Sequence, residues 1–141
     1  ILFDAQGNKS GEYGSMGAAP GQFLEPTDVA IDEWGDLYAV DMGNRRIQHM
    51  DIFGRYKQEW AIPLGNAFNG SHIDVAEDGS FFITAPEVHA VQRYGRDGNL
   101  LGQWGTDRLR IPVNLVRDGN RLYVTDTLNH RIQVFEIRER S

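Results

Sequence analysis

With 141 residues, 40% of them hydrophobic, 11% aromatic and 24% charged, the chain has the composition of a folded domain with a core, which excludes a disordered tail. A net charge of −6 and a pI near 5.1 argue against nucleic-acid binding, whose affinity comes largely from neutralised phosphates. Cysteine is absent, so disulfides, thiolate metal sites and cysteine nucleophiles are excluded together, and no apolar run approaches the roughly 18 residues of a membrane span.

The first residues, ILFDAQGN followed by GEYG, read as two strands around a glycine turn, the second carrying Tyr13. VAIDEWGDLYAVD (29–41) reads as strand, Asp-Gly type turn, strand. RRIQHMD supplies a third strand, and a fourth contains QEWA with Trp60. The same succession follows in DVAEDGSFFITA (74–85), HAVQRYG and GQWG with Trp104, and again in NLVRDGNRLYVTD (114–126) and HRIQVFE. The 16 glycines are spaced as turn punctuation, and no stretch has the apolar period of an amphipathic helix. The chain opens on Ile1, without a signal peptide, and so reads as a processed or excised segment.

These units are copies. DMGNRRIQHM (41–50) and DTLNHRIQVF (126–135) share five of ten positions, and APEVHAVQRY (85–94) is a worn third version. Aligned on Ile47-Gln48, Val91-Gln92 and Ile132-Gln133, the steps are 44 and 41 residues, a period that suits a four-stranded propeller blade. LYAV, FFIT and LYVT are apolar on successive residues, so each sheet needs cover on both faces, as blades stacked around an axis provide. The fold class is all-β, built of propeller blades of four antiparallel strands. The boundaries fall at 1–16 (partial blade), 21–62, 71–106 and 110–138 (partial). That is about three blades, an incomplete ring, since propellers close with 4–8. Two end faces, lined by side chains such as Leu37, Phe81 or Val124, therefore call for the remaining blades, from the rest of a parent chain or from a second copy.

GQFLEPTDVAID with GDLYAVDMGNRRIQ, and LRIPVNLVRD with NRLYVTDTLNHRIQVF, resemble the NHL repeat across essentially the whole chain. That resemblance implies a propeller, usually of six blades, acting as a scaffold for protein or small-molecule ligands. Asp41 and Arg46, like Asp126 and Arg131, should face each other across a turn as a structural bridge, with Asn44 and Asn129 accepting left-handed backbone. The worn unit, with Ala85, Val88 and Ala90 at the matching places, would lean on Pro86 and on packing of Val88 and Val91.

The loop face presents Met16, Phe23, Phe68, His72, His89 and Arg108 as candidate binding residues. Asp28, Asp74 and Asn114 open the inner strands at one frame position, and such a ring of oxygens at a channel mouth could hold Ca²⁺. The alternative reading is half of a metal-dependent lyase or hydrolase resembling the peptidyl-hydroxyglycine amidating lyase, a zinc enzyme with histidines at the starts of inner strands. At the corresponding places this chain has Gln22 and Val113, and His72 lies one position off the frame, so the balance leans towards a non-enzymatic scaffold. Other NHL proteins bind RNA through a basic face, which the acidic charge and the solvated reading of Arg108, Arg110 and Arg121 oppose. Resembling bacterial propellers imply an extracellular or periplasmic setting.

Overall fold

The computed structural model describes residues 1–62 and 70–138. The described residues form four antiparallel sheets, each with its strands in sequence order. The first holds β1 (Leu2–Phe3) and β2 (Lys9–Gly11). Blade A holds β3 (Pro26–Ile31), β4 (Leu37–Asp41), β5 (Arg46–Met50) and β6 (Tyr56–Ala61). Blade B holds β7 (Ile73–Val75), β8 (Phe81–Ala85), β9 (Ala90–Tyr94) and β10 (Leu100–Trp104). Blade C holds β11 (Pro112–Asp118), β12 (Arg121–Asp126) and β13 (Arg131–Glu136).

Three of the hairpin turns share one device. Asp4, Asp32 and Asp51 each accept two backbone amides from residues two and four further on, and Gly7, Gly35 and Gly54 take the positive φ the turn requires. In blade B Gly95 stands at the aspartate position, Gly98 keeps the positive φ, and Asp97 accepts the Asn99 amide instead.

The pleat decides which side chains meet between blades. Tyr38, Val40, Ile47 and Trp60 of blade A pack on Val75, Phe81, Ile83 and Tyr94 of blade B. The opposite face of blade B, with Phe82 and Val91, packs on Leu115, Leu122 and Val124 of blade C. Phe81 and Val124 are therefore buried between blades, contrary to the expectation that they line bare ends, because alternate residues of β8 serve opposite interfaces. The open faces belong to Val29 (56% exposed) and Ile31 (65%) on blade A and to Ile132 (66%) and Val134 (51%) on blade C.

Between the second and third strands of each blade lies a single 3-10 turn: Met42–Asn44, Pro86–Val88 and Thr127–Asn129. The left-handed residues that end these turns are Arg45, His89 and His130, not Asn44 and Asn129. The asparagines do something else. Asn44 donates to the Asp41 carboxylate and to the Gly17 carbonyl, each at 2.9 Å, and Asn129 donates to Asp126 at 3.0 Å and to the Arg108 carbonyl at 2.8 Å. They tie their turn to the loop arriving from the preceding sheet.

Asp41 and Arg46 are the centre of that tie. The Arg46 Nε donates to Asp41 Oδ2 at 2.9 Å, while its Nη atoms donate to the carbonyls of Ala18, Ala19 and Gln22 and to Glu59 Oε2. The other oxygen of Asp41 accepts the Leu24 amide at 2.8 Å. In blade C, Asp126 accepts the Arg110 amide at 2.7 Å and Arg131 Nε at 2.8 Å. The next residues, Glu25 and Ile111, are left-handed at φ 57 and φ 54 and precede Pro26 and Pro112, so the carboxylate clamps the amide beside a strained residue. Burial works upward on the Asp126 carboxyl, but hydrogen bonds from Arg110, Arg131 and Asn129 outweigh it and hold the group below its ordinary value of 3.8. Blade B has no such pair. There Thr84 donates to the Val113 carbonyl of blade C at 3.0 Å and accepts the His72 amide at 2.9 Å; Pro86 and Val91 are buried, but Val88 is exposed and packs nothing down.

Three predictions follow from these contacts. A Cβ on Gly98 (φ +83) would run into the Trp60 ring, whereas one on Gly7 (φ +85) would meet open space. Gly98→Ala should therefore cost about 2–4 kcal/mol in urea unfolding against about 1–2 for Gly7→Ala, the difference being the blade–blade clash. The Arg46 side chain is 6% exposed and that of Arg131 46%. Arg46→Ala should cost about 3–5 kcal/mol by stranding a buried carboxylate, and the half-exposed Arg131→Ala about 1–2. The depressed Asp126 pKa gives stability that is complete above the ordinary carboxylate value and lost as pH falls through the lower folded one. Below pH 3.8 the loss of stability with falling pH should be shallower in Arg131→Ala than in the parent chain.

Candidate functional site

Where blades B and C meet on the loop face, a cleft of about 790 Å³ is lined by His89, Arg108, Arg110, Asn129 and Arg131 among others. The loop leaving β10 sets its wall. Gly105, at φ +94, lets the amides of Arg108 and Leu109 fold back onto its carbonyl at 2.9 and 2.6 Å. Leu109 is then buried against blades B and C, and the exposed residues on either side of it are Arg108 and Arg110.

His89 forms the opposite wall. Its left-handed backbone closes the 3-10 turn of blade B, and its Nδ1 accepts the Ile111 amide at 3.0 Å. That bond places the proton of the neutral ring on Nε2. Arg131 forms the floor, holding Asp126 with Nε and the Arg108 carbonyl at 3.0 Å with Nη2. Three guanidinium groups and an imidazole thus converge in a chain of net charge −6, with Asp107 beside Arg108 at 3.5 Å and Asp126 buried beneath. Planar guanidinium forks and a ring N–H suit carboxylates or other oxyanions.

His89 and Arg108 are brought together here; the other candidate binding residues lie elsewhere. Met16 is exposed and bridges Phe23 in a short parallel contact. Phe23 helps line an apolar recess with Tyr13, Val29, Ile31 and Met50 on the open face of blade A. His72 sits between blades A and B, its Nδ1 3.3 Å from Asp28 Oδ2. Phe68 lies outside the described residues. Arg110 and Arg131 escape the sequence reading because one reads as solvated charge and the other as a pure turn brace. The usable signal was the Arg-Leu-Arg alternation at 108–110, which turns two charges out when the leucine goes in.

The inner-strand oxygens bind backbone. Asp28 Oδ2 accepts the Ile73 amide of the next blade at 2.8 Å. Asp74 accepts Val75 at 2.9 Å and Arg117, again of the next blade, at 2.6 Å. Asn114 accepts Leu115 at 2.8 Å. A different cluster, Asp32, Asp36 and His49, has one ligand atom of each within 4.8 Å of the others. The Lys57 ammonium already lies 2.7 Å from Asp36 Oδ2, with His49 Nε2 at 2.8 Å on the same oxygen. The Lys57 bond, above all, keeps the Asp36 carboxyl below the usual range despite burial. Tyr38 stacks on His49 at 4.3 Å, and its hydroxyl is pushed up to about 12 by burial and then by the charge of Asp32. This cluster is a paired strut beneath the aromatic stack. At the places matching the lyase ligands, Gln22 gives its carbonyl to Arg46 and Gln48, and Val113 gives its carbonyl to Thr84.

The NHL repeat family model matches residues 109–135. The chain is 30% identical over 132 residues to the B-box type zinc finger protein ncl-1 of Caenorhabditis elegans and 26% identical over 132 residues to Protein brain tumor of Drosophila melanogaster. Each alignment covers 89% of this chain but only 16% and 13% of those relatives. Among solved structures, virginiamycin B lyase from Staphylococcus aureus superposes with a TM-score of 0.61 at 17% identity, over 98% of this chain and 48% of that one. Identity at that level shows the shared fold alone. Repeat motif, blade architecture and relatives agree that the chain carries NHL repeats folded as β-propeller blades.

Proposed function

We propose that this propeller segment is a non-enzymatic scaffold that packs against further blades and receives an acidic protein segment in the cleft between blades B and C. The observation that carries the reading is the placement of Arg108, Arg110 and His89 on one loop face of an otherwise acidic chain. The arginines are exposed and mounted on a buried leucine, so their stems are fixed while their heads stay in water. The histidines support a scaffold more than a hydrolytic centre: His49 is stacked in a strut, His72 faces Asp28 and His89 holds a backbone amide.

Fluorescence anisotropy with a labelled glutamate-rich peptide tests this. Binding should weaken steeply with added salt, and Arg108→Glu with Arg110→Glu should weaken it at least about tenfold, about 1.4 kcal/mol. Reversal of Arg55, an exposed arginine held by Asp51 in a turn of blade A, should leave the affinity unchanged. Equal affinity of the parent and the doubly reversed protein would refute the cleft as the site.

A further inference from the structure

The rim of the cleft between blades B and C carries more than charge. The three turns on the loop face correspond residue by residue: Met42-Gly43-Asn44, Pro86-Glu87-Val88 and Thr127-Leu128-Asn129. In the third position Asn44 and Asn129 point inward, each holding a carboxylate and a loop carbonyl. Blade B has Ala85 where the others have that carboxylate, and Val88 stands in the asparagine's place, 48% exposed. It immediately precedes His89, which lines the cleft. The facing turn departs from the pattern in the same sense. Its middle residue is glycine in blade A and glutamate in blade B, but Leu128 in blade C, 47% exposed. The Leu128 amide donates to the Arg110 carbonyl at 3.1 Å, and the next residue, Asn129, lines the cleft.

An apolar side chain therefore stands on each rim, one carried by blade B and one by blade C. Neither is needed to close its turn, since glycine and asparagine close the same turn in blade A. The arginines are just as particular to this place. Arg108-Leu109-Arg110-Ile111-Pro112 corresponds to Gln22-Phe23-Leu24-Glu25-Pro26, the amides of Arg110 and Leu24 lying on matching carboxylates. The connection closes in blade A with a glutamine and a leucine, so nothing in the fold requires two positive charges here. Single exposed valines and leucines are ordinary on a protein surface. Two that bracket a cluster of guanidinium groups give the mixed apolar and arginine-rich composition of a surface that receives a partner. Glu87, exposed beside Val88, opposes a further carboxylate at that end of the cleft.

We infer that the segment this cleft selects is a linear peptide in which one bulky apolar residue, leucine or phenylalanine, is flanked by aspartate or glutamate. This rests on the reading of the cleft as the site of an acidic segment, and names what the segment must carry besides charge. Its carboxylates meet Arg108 and Arg110 while the apolar side chain packs against Val88 and Leu128. The two contributions separate by their response to salt. Rim charges speed encounter and are screened by added ions, whereas the removal of apolar surface from water is not screened and slows release.

Two labelled peptides of equal length and charge test this by fluorescence anisotropy: a glutamate-rich peptide with serine at its centre, and the same peptide with leucine there. The leucine peptide should bind the 141-residue chain about tenfold more tightly, and that ratio should hold as salt is raised although both affinities fall. Val88→Asn with Leu128→Ser should erase the advantage and leave the affinity for the serine peptide unchanged. Leu101→Ser, at an exposed leucine on β10, should alter neither. Equal affinity of the two peptides for the parent chain would overturn the inference, as would an advantage that survives the double replacement, and either result leaves the basic cleft standing. Failure of both peptides to bind would instead remove the reading on which the inference rests, and the inference with it.

Discussion

The arrangement of the blades rests on one buried carboxylate in each of blades A and C. Asp41 and Asp126 are wholly shielded from solvent, and each spends one oxygen on a backbone amide of the incoming loop and the other on an arginine and an asparagine of its own turn. An unpaired charge at that depth would be strongly unfavourable, so each donor is under pressure to stay in place. The result is that a connection between sheets, ordinarily the loosest part of a repeat, is fixed by the same group that closes the hairpin. Glu25 and Ile111 can hold a left-handed backbone beside proline because the neighbouring amide cannot move away.

Much of this was legible in the residues. The 44 and 41 residue steps, the D-x-x-G turns and the unbroken apolar runs of LYAV, FFIT and LYVT require stacked four-stranded sheets, and the Asp–Arg spacing brings those two side chains together. What the residues did not disclose is the long-range half of the bond network. Nothing in the spacing of Asp41 and Arg46 announces that Leu24, Ala18 and Ala19 will be their partners, because those contacts depend on where a neighbouring sheet delivers its loop. The same limit explains Asn44 and Asn129. Their type favours left-handed turns in isolation, but carbonyls arriving from elsewhere recruit them as donors and push the left-handed residue one place along.

The loop face shows how an acidic chain can present a local positive field. Acidic groups near the cleft are either buried under an arginine, as Asp126 is, or singly paired at the rim, as Asp107 is. Net charge therefore describes solubility and long-range repulsion, while a patch a few ångströms across follows its own balance.

Blade B lacks the carboxylate and the arginine, with Ala85 and Ala90 instead, yet its second strand is buried throughout. In a linear array each unit is stabilised by its neighbours, so a central unit held on two sides can dispense with internal bracing that a terminal unit needs. Melting should then begin at the outer sheets and travel inward, and the two aspartates are brakes against that fraying. Erosion of the motif in the middle copy is a tolerated loss, permitted by enclosure rather than a sign of decay in the whole.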